Sequence, residues 1–588
     1  MTMVREMIRS AYGTALSAPG APSVHMPLLV ASLTGASVAS AEAPPRVGIW
    51  RRVAFGIGLV GLFAFVFERN IAFSALRSRL STVPRYDDVV YLLDAVRRLT
   101  FDMPGGFGSF ADGILANPPH APASTLTAML GFTLFGHEVQ SAYLANGWIL
   151  ALFIAALAVM SRPLVSLPAR FLLVAILLFV PISHVMITEF RPDMAAGLVF
   201  ALALIAIAAT DLLTSSRWRR IGVAALCVAA TIVKPSGVIL VIPGIGIAVA
   251  MTALVQARAT GVPFVRVLRG ALLPAATYVV LLAPFAIVWG QPTARYIYQA
   301  LVGNKDIWRT DGGFLFHALY HSFDQGGRAA LKPFNWIAIP VIAADLFLLS
   351  RAGPSRERQI AHALYLTLVV LYIAMATSAE KTPFQGSFFY CPFVLVLAGA
   401  MARVGAVARQ IWPSRNVTLA LAALALVLLA TRPIVTTFSG LPASASELRS
   451  LLTRTADEIA KFGATQSPGS ICSGRNPRLL TTNPEPFPPE AILLELALRG
   501  INVDYSTSPL ARTASEVDAL VGNADLVLIP DPAMPGRTDF LPGTAFEADL
   551  LARLSRDPVW TGRVMGAVGG APLWLFERTA CLPGATPF

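Results

Sequence analysis

The chain contains about eleven separate apolar stretches, each close to the length of a membrane-spanning helix, and this repetition constrains its fold most. Hydrophobic residues make up 55% of the 588 positions and charged residues only 14%. A water-soluble enzyme needs far more charge on its surface. The sequence therefore predicts a polytopic α-helical membrane protein.

The predicted spans run at 53–67, 139–160, 171–188, 194–213, 221–235, 237–255, 270–289, 335–350, 362–378, 388–404 and 417–434. Almost nothing separates the fifth span from the sixth, so Lys234-Pro235-Ser236-Gly237 predicts the apex of a tight helical hairpin. An odd number of spans places the two chain ends on opposite sides of the membrane.

The net charge of +12 comes mainly from arginines in short loops between apolar stretches. The positive-inside rule assigns such loops to the cytoplasm, so the charge does not indicate a nucleic acid partner. All of these loops fall inside together only if the apolar segment Pro118–Phe135 lies on the outer membrane surface instead of crossing it. The arginines that decide the question are Arg162, Arg170, Arg217, Arg219, Arg220, Arg258, Arg266, Arg269, Arg351, Arg356, Arg358, Arg403, Arg409 and Arg415.

This topology divides the chain into three parts. Residues 1–50 are predicted as a disordered cytoplasmic tail, although Met26–Val30 and the Ala-Ser-rich sequence after it imitate a signal peptide. Residues 51–437 form the transmembrane domain, with a first outer loop at 68–139. Residues 438–588 have the composition of a soluble domain and are expected outside the cytoplasm.

The soluble C-terminal region alternates helical and β-rich patterns, which predicts a small α/β domain. It has no GxGxxG, P-loop or metal-ligand cluster, so we expect it to have a recognition or supporting role instead of a catalytic one. Cys472 and Cys581 lie in this region and can form a disulfide in an exported domain, although their spacing does not show that they do. The predicted helices are Glu447–Phe462, Pro489–Arg499 and Thr513–Val521, and the predicted strands lie around Leu479–Thr482, Ile501–Tyr505, Asp525–Pro530 and Pro572–Phe576.

An acidic pair, Asp87-Asp88, opens an amphipathic helix predicted at Asp87–Leu99 in the first outer loop. Carboxylates at this place serve either as catalytic groups or as caps of a surface helix, and the pair alone does not separate the two uses. The other unusual charges of the short loops collect on the same side. Because cations there run against the positive-inside bias, they favour a site that holds an anion beside a base. These charges are Glu189, Arg191, Asp193, Lys234, Glu380 and Lys381.

With these landmarks in order, the chain resembles the GT-C superfamily of integral-membrane glycosyltransferases, in particular the protein O-mannosyltransferase and lipid A aminoarabinose transferase branch. The resemblance covers roughly residues 50–435 as a series of motifs instead of a continuous match. The motifs are the acidic pair followed by Tyr91, the Pro118-Pro119 helix ending in Leu134-Phe135-Gly136, Arg191-Pro192-Asp193, Lys234-Pro235, and Lys381-Thr382-Pro383 before Tyr390-Cys391-Pro392 at longer spacing.

The resemblance implies transfer of a sugar from a polyprenyl-phosphate donor to an acceptor hydroxyl on the outer side, commonly with inversion. It makes Asp87 the general base. Asp88 orients Asp87 or the acceptor, or binds a divalent metal if one is used; no cofactor is otherwise indicated. Arg191, Lys234 and Lys381 would stabilise the departing lipid phosphate, with Tyr91, Asp193 and Glu189 in support.

The implied location is the inner membrane of a bacterium, with the active site and the C-terminal domain in the periplasm. The acceptor, whether lipid, glycan or protein, and the sugar are left open. The aromatic residues of the predicted loop Gln291–Phe334 receive no role, since an interfacial belt explains them equally well. Two rival functions remain, a membrane transporter and a catalytically inactive scaffold with the same fold.

Overall fold

The computed structural model describes residues 48–164, 166–411, 414–431, 445–465, 476–536 and 538–579. Nearly all of the predicted tail at 1–50 lies outside the described residues, as do Cys472, Cys581 and the predicted domain boundary at 437/438. The described residues from Val53 onward belong to one compact unit.

Helices occupy all eleven regions that the sequence predicts as spans. The helices of this part of the chain are α1 (Ile49–Arg77), α2 (Tyr86–Arg97), α3 (Gly106–Ala116), α4 (Pro122–Phe135), α5 (Val139–Ala145), α6 (Gly147–Met160), α7 (Leu167–Leu177), α8 (Pro181–Thr188), α9 (Pro192–Ala208), α10 (Arg217–Ile232), α11 (Val238–Thr260), α12 (Phe264–Arg269), α13 (Leu272–Tyr298), α14 (Lys305–Trp308), α15 (Phe314–Leu319), α16 (Gln325–Leu331), α17 (Phe334–Arg351), α18 (Arg356–Thr377), α19 (Ser387–Ile411) and α20 (Ser414–Thr431).

Seven spans among the described residues are long and apolar enough to cross a membrane. The pair α7 and α8, bent by 69° at a short break, raises the number to eight. Helices α9, α10 and α20 fill the remaining predicted spans. The chain is therefore a polytopic α-helical membrane protein, as its apolar stretches predict.

Helix α9 lies at the centre of the bundle and is buried along most of its length. It packs against α19, α10, α11 and α18. The contact with α19 is close, because a Cβ added to Gly197 would lie 2.5 Å from the main-chain oxygen of Ser387. The N-terminus of α9 carries Arg191 and Asp193, so this packing fixes the position of both charges.

The predicted hairpin at Lys234–Gly237 is confirmed. Helix α10 ends at Ile232, a short 3-10 turn covers Pro235–Gly237, and α11 begins at Val238. One expectation is wrong: the loop predicted from Gln291 begins later, because α13 continues to Tyr298. Pro292 removes a single N–H donor, and the neighbouring backbone groups keep the helix intact.

The end of the bundle far from the hairpin apex gathers the arginine-rich loops. The Gln256 side chain donates to the Thr210 oxygen and accepts from the Leu212 N–H. The Arg220 guanidinium donates to the oxygens of Leu213 and Gly270. These contacts tie the loops after α9 and α12 together, as expected for loops on one side of a membrane.

The C-terminal region forms a five-stranded sheet with helices, so the predicted small α/β domain is confirmed. Its elements are α21 (Ala445–Thr465), β1 (Arg478–Thr481), α22 (Pro489–Leu498), β2 (Asp504–Thr507), α23 (Ala514–Gly522), β3 (Leu526–Pro530), α24 (Glu547–Leu554), β4 (Trp560–Val568) and β5 (Ala571–Arg578). The strand order is β2-β1-β3-β5-β4. Strand β1 pairs in parallel with β2 and β3, and β5 pairs antiparallel with β3 and β4.

This domain packs directly on the helix that carries the acidic pair, because α22 lies against α2. The Arg97 guanidinium donates to the Val503 oxygen at 2.6 Å, and the Arg85 guanidinium donates to the Pro486 oxygen at 2.9 Å. The Arg449 guanidinium donates to the main-chain oxygens of Leu80 and Thr82, just before α2. The α/β domain therefore holds α2 from the side opposite the bundle.

Candidate active site

The two carboxylates at the start of α2 have opposite environments. The Asp87 side chain is 57% exposed, whereas Asp88 is fully buried. Neither residue occupies the N-cap position, which belongs to Arg85. Both carboxylates contact other elements instead, and this argues against a helix cap as their main use.

Asp88 anchors α2 to the bundle. Its Oδ2 accepts a hydrogen bond of 2.6 Å from the Tyr143 hydroxyl and one of 2.9 Å from the Phe190 N–H. The Arg79 guanidinium lies 3.7 Å from the same oxygen. Asp88 has no exposed surface, and its described contacts hold the start of α2 against the bundle.

Arg79 also belongs to this cluster, although no sequence motif singled it out. Its side chain is buried between Asp88 and Glu189, with Nη2 3.4 Å from the Glu189 Oε2. Burial raises the pKa of the Glu189 carboxyl, although the nearby Arg79 lowers it. Arg79, together with Arg191, therefore supplies the positive charge that keeps two buried carboxylates together.

Arg191 connects the buried cluster to the exposed carboxylate. Its Nη1 donates to the Asp87 Oδ2 at 3.0 Å, and its Nε lies 3.4 Å from the Glu189 Oε2. The guanidinium also lies over the Phe384 ring, 3.5 Å from the ring centre. These contacts fix the direction of the Asp87 carboxylate.

Lys234 and Asp193 form a second ion pair beside the first. The Lys234 ammonium donates to the Asp193 Oδ1 at 2.6 Å across the hairpin apex and the start of α9. Asp193 is almost fully buried, while the Lys234 side chain keeps 18% of its surface exposed. An ammonium has three N–H donors, and Asp193 accepts one of them, so others can reach a ligand.

Lys381 stands apart from these pairs in its described contacts. Its ammonium donates to the main-chain oxygens of Met375 and Ala376, at 2.6 and 2.9 Å. A cation at this position satisfies the last carbonyls of α18. The structure thus brings together Asp87, Asp88, Tyr91, Glu189, Arg191, Asp193 and Lys234, and places Lys381 at a helix end.

The C-terminal domain closes one side of the site. Glu490 on α22 is near enough to interact electrostatically with Asp87, and it is hydrogen-bonded to Tyr505 of β2. Glu485 lies 3.4 Å from Arg85, the residue before α2. No local pattern predicts this contact, because it joins residues about four hundred positions apart.

Glu485, which pairs with Arg85 in this contact, should make the stability of the folded protein depend on pH. Burial raises the pKa of its carboxyl from 4.5 to about 7, although Arg85 lowers it. The folded protein therefore binds this proton more tightly than the unfolded chain, so stability should fall as pH rises from 4.5 through 7. The loss amounts to at most about 3 kcal/mol. In nanodiscs, the thermal unfolding midpoint of Glu485→Gln should change less between pH 5 and 8 than that of the wild type. A pH dependence of the midpoint as steep as that of the control variant Glu495→Gln would contradict this.

In the described part of the chain, no group of three or more His, Cys, Asp or Glu side chains is arranged to hold a metal ion. Two cysteines are described, Cys227 and Cys391, and both are free and buried. The predicted Cys472–Cys581 disulfide lies outside the described residues.

The architecture defines an integral membrane protein with a charged site at one end of its helix bundle. Its fold is similar to that of two solved structures, both of ArnT from Cupriavidus metallidurans. The crystal structure bound to undecaprenyl phosphate aligns with a TM-score of 0.52 and 13% identity, over 92% of this chain and 100% of that one. The apo crystal structure gives 0.52 and 14%, over 90% and 100%.

Sequence comparisons add nothing to this likeness. No family model matches the chain, and no curated protein matches it significantly. At this level of identity the similarity shows the fold, and the function must be argued from the residues of the site.

Proposed function

We propose that this protein transfers a sugar from a polyprenyl-phosphate donor to an acceptor hydroxyl. The observation that carries the proposal is the exposed Asp87 carboxylate, held by Arg191 and set beside the Lys234–Asp193 pair. The GT-C fold supports it, and the ArnT structure with undecaprenyl phosphate supports the class of donor lipid. No nucleotide-sugar motif is needed, since the donor arrives within the bilayer.

In the proposed reaction, the Asp87 carboxylate accepts the proton of the acceptor hydroxyl while the oxygen of that hydroxyl attacks the anomeric carbon. The bond from that carbon to the phosphate oxygen breaks, and the lipid phosphate leaves with the electron pair. Attack from the face opposite the phosphate inverts the anomeric centre. Asp87 alone of the two acidic residues has the exposed surface that this role requires.

The cations would act on the leaving phosphate. Lys234 has donors beyond the one that Asp193 occupies, and fixed positive charge in a partly dehydrated site stabilises developing negative charge strongly. Arg191 would add to this field while it orients Asp87. Lys381 is the weaker candidate, because its ammonium already bonds two carbonyl oxygens.

We also propose the orientation and the domain limits. The bacterial inner membrane is the implied location, with residues 1–50 in the cytoplasm, 51–437 as the membrane domain and 438–588 as a periplasmic domain. The arginine-rich loops at the end far from Asp87 favour this orientation under the positive-inside rule. The acceptor is a lipid, a glycan or a protein on the periplasmic side.

A transfer assay tests the proposal. Purified full-length protein in nanodiscs is given undecaprenyl-phosphate esters of glucose, mannose, arabinose and 4-amino-4-deoxyarabinose with an envelope extract as acceptor. Release of free undecaprenyl phosphate with at least one ester is expected. Folded protein that releases none with any ester would overturn the proposed function.

Replacing Lys234 tests the phosphate role separately. Because Lys234→Met alone leaves Asp193 buried without its partner, the informative variant is Lys234→Met with Asp193→Asn, which removes both charges. We expect the double variant to fold and to lose about 10²- to 10³-fold in kcat. Lys461→Met, on the exposed face of α21, is the matched control. Turnover of the double variant at the wild-type rate would remove Lys234 from the mechanism.

A further inference from the structure

Three aromatic side chains form a continuous surface beside the ion pairs, and we name Tyr91, His120 and Tyr296 the aromatic wall. The rings of Tyr91 and His120 are nearly parallel, with centres 6.4 Å apart. The rings of His120 and Tyr296 lie closer, with centres 4.4 Å apart at 54°. The wall joins three separate elements, namely α2, the loop before α4, and the end of α13.

The loop that carries His120 is fixed to α13. The Trp289 Nε1–H donates to the Pro119 oxygen at 2.9 Å, one residue before His120. Trp289 and Tyr296 are seven residues apart on α13, so they share one face of the helix over two turns. Trp289 therefore holds the backbone of the loop while Tyr296 contacts the imidazole.

The aromatic wall interacts electrostatically with the proposed base, Asp87, and with the Lys234–Asp193 pair. His120 interacts with Lys234, Asp87 and Asp193, and Tyr296 interacts with the same three residues. Burial lowers the pKa of His120, and Lys234 lowers it further against the opposite effect of Asp87 and Asp193, so the environment favours the neutral imidazole. A neutral imidazole offers one N–H donor and one nitrogen acceptor.

The polar atoms of the wall are available to a ligand. Within the described residues, the Tyr91 and Tyr296 hydroxyls and the His120 nitrogens make no hydrogen bond. None of these atoms is among the fully enclosed, unpartnered polar atoms of the described chain. Ring faces with accessible hydroxyl and imidazole tips combine apolar contact with hydrogen bonding, as ligand pockets do.

We propose that the aromatic wall is the subsite for the transferred sugar ring, with His120 bonding a ring hydroxyl. This inference rests on the proposed function, because the sugar is the group that must lie between the base and the leaving phosphate. Tyr91 follows Asp87 by one turn of α2 and contacts the His120 ring, and His120 interacts electrostatically with both Asp87 and Lys234. An apolar ring face on Tyr296 and two hydrogen-bonding nitrogens suit a polyhydroxylated ring and not a lipid tail.

Binding measurements separate recognition of the sugar from recognition of the phosphate. Full-length protein in nanodiscs is titrated with undecaprenyl phosphate and with the four sugar esters named above. The wild type should bind at least one ester more tightly than the bare lipid phosphate. His120→Phe keeps an aromatic ring but no nitrogen, and should reduce this preference about tenfold while leaving the affinity for undecaprenyl phosphate unchanged.

Two further variants complete the test. His120→Gln restores one donor and one acceptor and should recover part of the preference. The control variant is His137→Phe, at an exposed histidine just after α4, and it should leave both affinities unchanged. If His120→Phe prevents folding, Tyr296→Phe, which removes only a hydroxyl, should weaken ester binding selectively.

The inference is overturned if no ester binds better than the bare lipid phosphate, if His120→Phe keeps the preference, if both affinities fall together, or if glutamine restores nothing. These results are distinct from failure of the proposed function. If the wild type releases undecaprenyl phosphate but His120→Phe still prefers the sugar ester to the bare lipid phosphate, the subsite alone is overturned. Absence of release with every ester would overturn the function.

Discussion

The Asp87→Asn variant is expected to fold and bind donor normally while it loses sugar transfer by about 10²- to 10⁴-fold. An amide has nearly the shape of a carboxylate, and its oxygen can still accept the Arg191 hydrogen bond. It cannot take the proton of the acceptor hydroxyl. The measurement is the single-turnover rate of undecaprenyl phosphate release at saturating donor.

Asp94→Asn is the matched control for this variant. Asp94 lies two turns along α2, where its carboxylate accepts from the Thr125 hydroxyl at 2.7 Å and pairs with Arg98 at 2.9 Å. It should keep wild-type turnover, since Asp94 bonds Thr125 and Arg98 and takes no part in the ion pairs of Arg191 among the described residues. Normal release by Asp87→Asn would show that Asp87 is not the base, whatever else the assay finds.

Local sequence patterns predicted which helices and turns carry the charged residues of the site. The apolar periodicity of α2 and the Lys-Pro break between α10 and α11 are properties of neighbouring residues, so the sequence carries them directly. The positive-inside rule then places the acidic pair, Arg191 and Lys234 on the same side of the membrane. Their meeting within hydrogen-bond distance is a packing result, and it depends on the central position of α9.

The different environments of Asp87 and Asp88 could have been inferred from α2 itself. Asp88, Leu92 and Ala95 repeat at helical spacing and are all fully buried, so Asp88 belongs to the apolar stripe. Asp87 is turned by about 100° from that stripe. The family resemblance already assigned Asp87 and Asp88 different roles, but it did so without this difference in burial.

Arg79 and β4 were missed for different physical reasons. Arg79 is a cation in the first outer loop and runs against the charge bias, which is the signal that singled out Arg191. Its partners lie on α2 and after α8, and nothing in the loop itself indicates them. Strand β4 is an edge strand exposed along much of its length, so it lacks the alternation by which a strand is recognised.

Arg79→Met is expected to destabilise the protein by about 3–5 kcal/mol, the cost of removing one partner from a buried ion pair. Arg79 is 5% exposed and faces Asp88 and Glu189, which are 0% and 1% exposed. Methionine fills similar space but removes one of the two guanidinium groups, those of Arg79 and Arg191, that pair with both carboxylates. Thermal unfolding in nanodiscs should show a lower midpoint, whereas the exposed Arg77→Met should not change it.

A second substitution identifies charge as the cause. If the loss arises from two buried carboxylates that must share the Arg191 guanidinium, Glu189→Gln added to Arg79→Met should recover much of the stability, because Arg191 then faces Asp88 alone of the two. Lower pH should also lessen the loss in Arg79→Met, since burial already favours the protonated form of Glu189. A loss that is equal with and without Glu189→Gln would instead assign the role of Arg79 to packing. The position of α2, and with it the direction of Asp87, would then depend on the Tyr143 and Phe190 hydrogen bonds to Asp88.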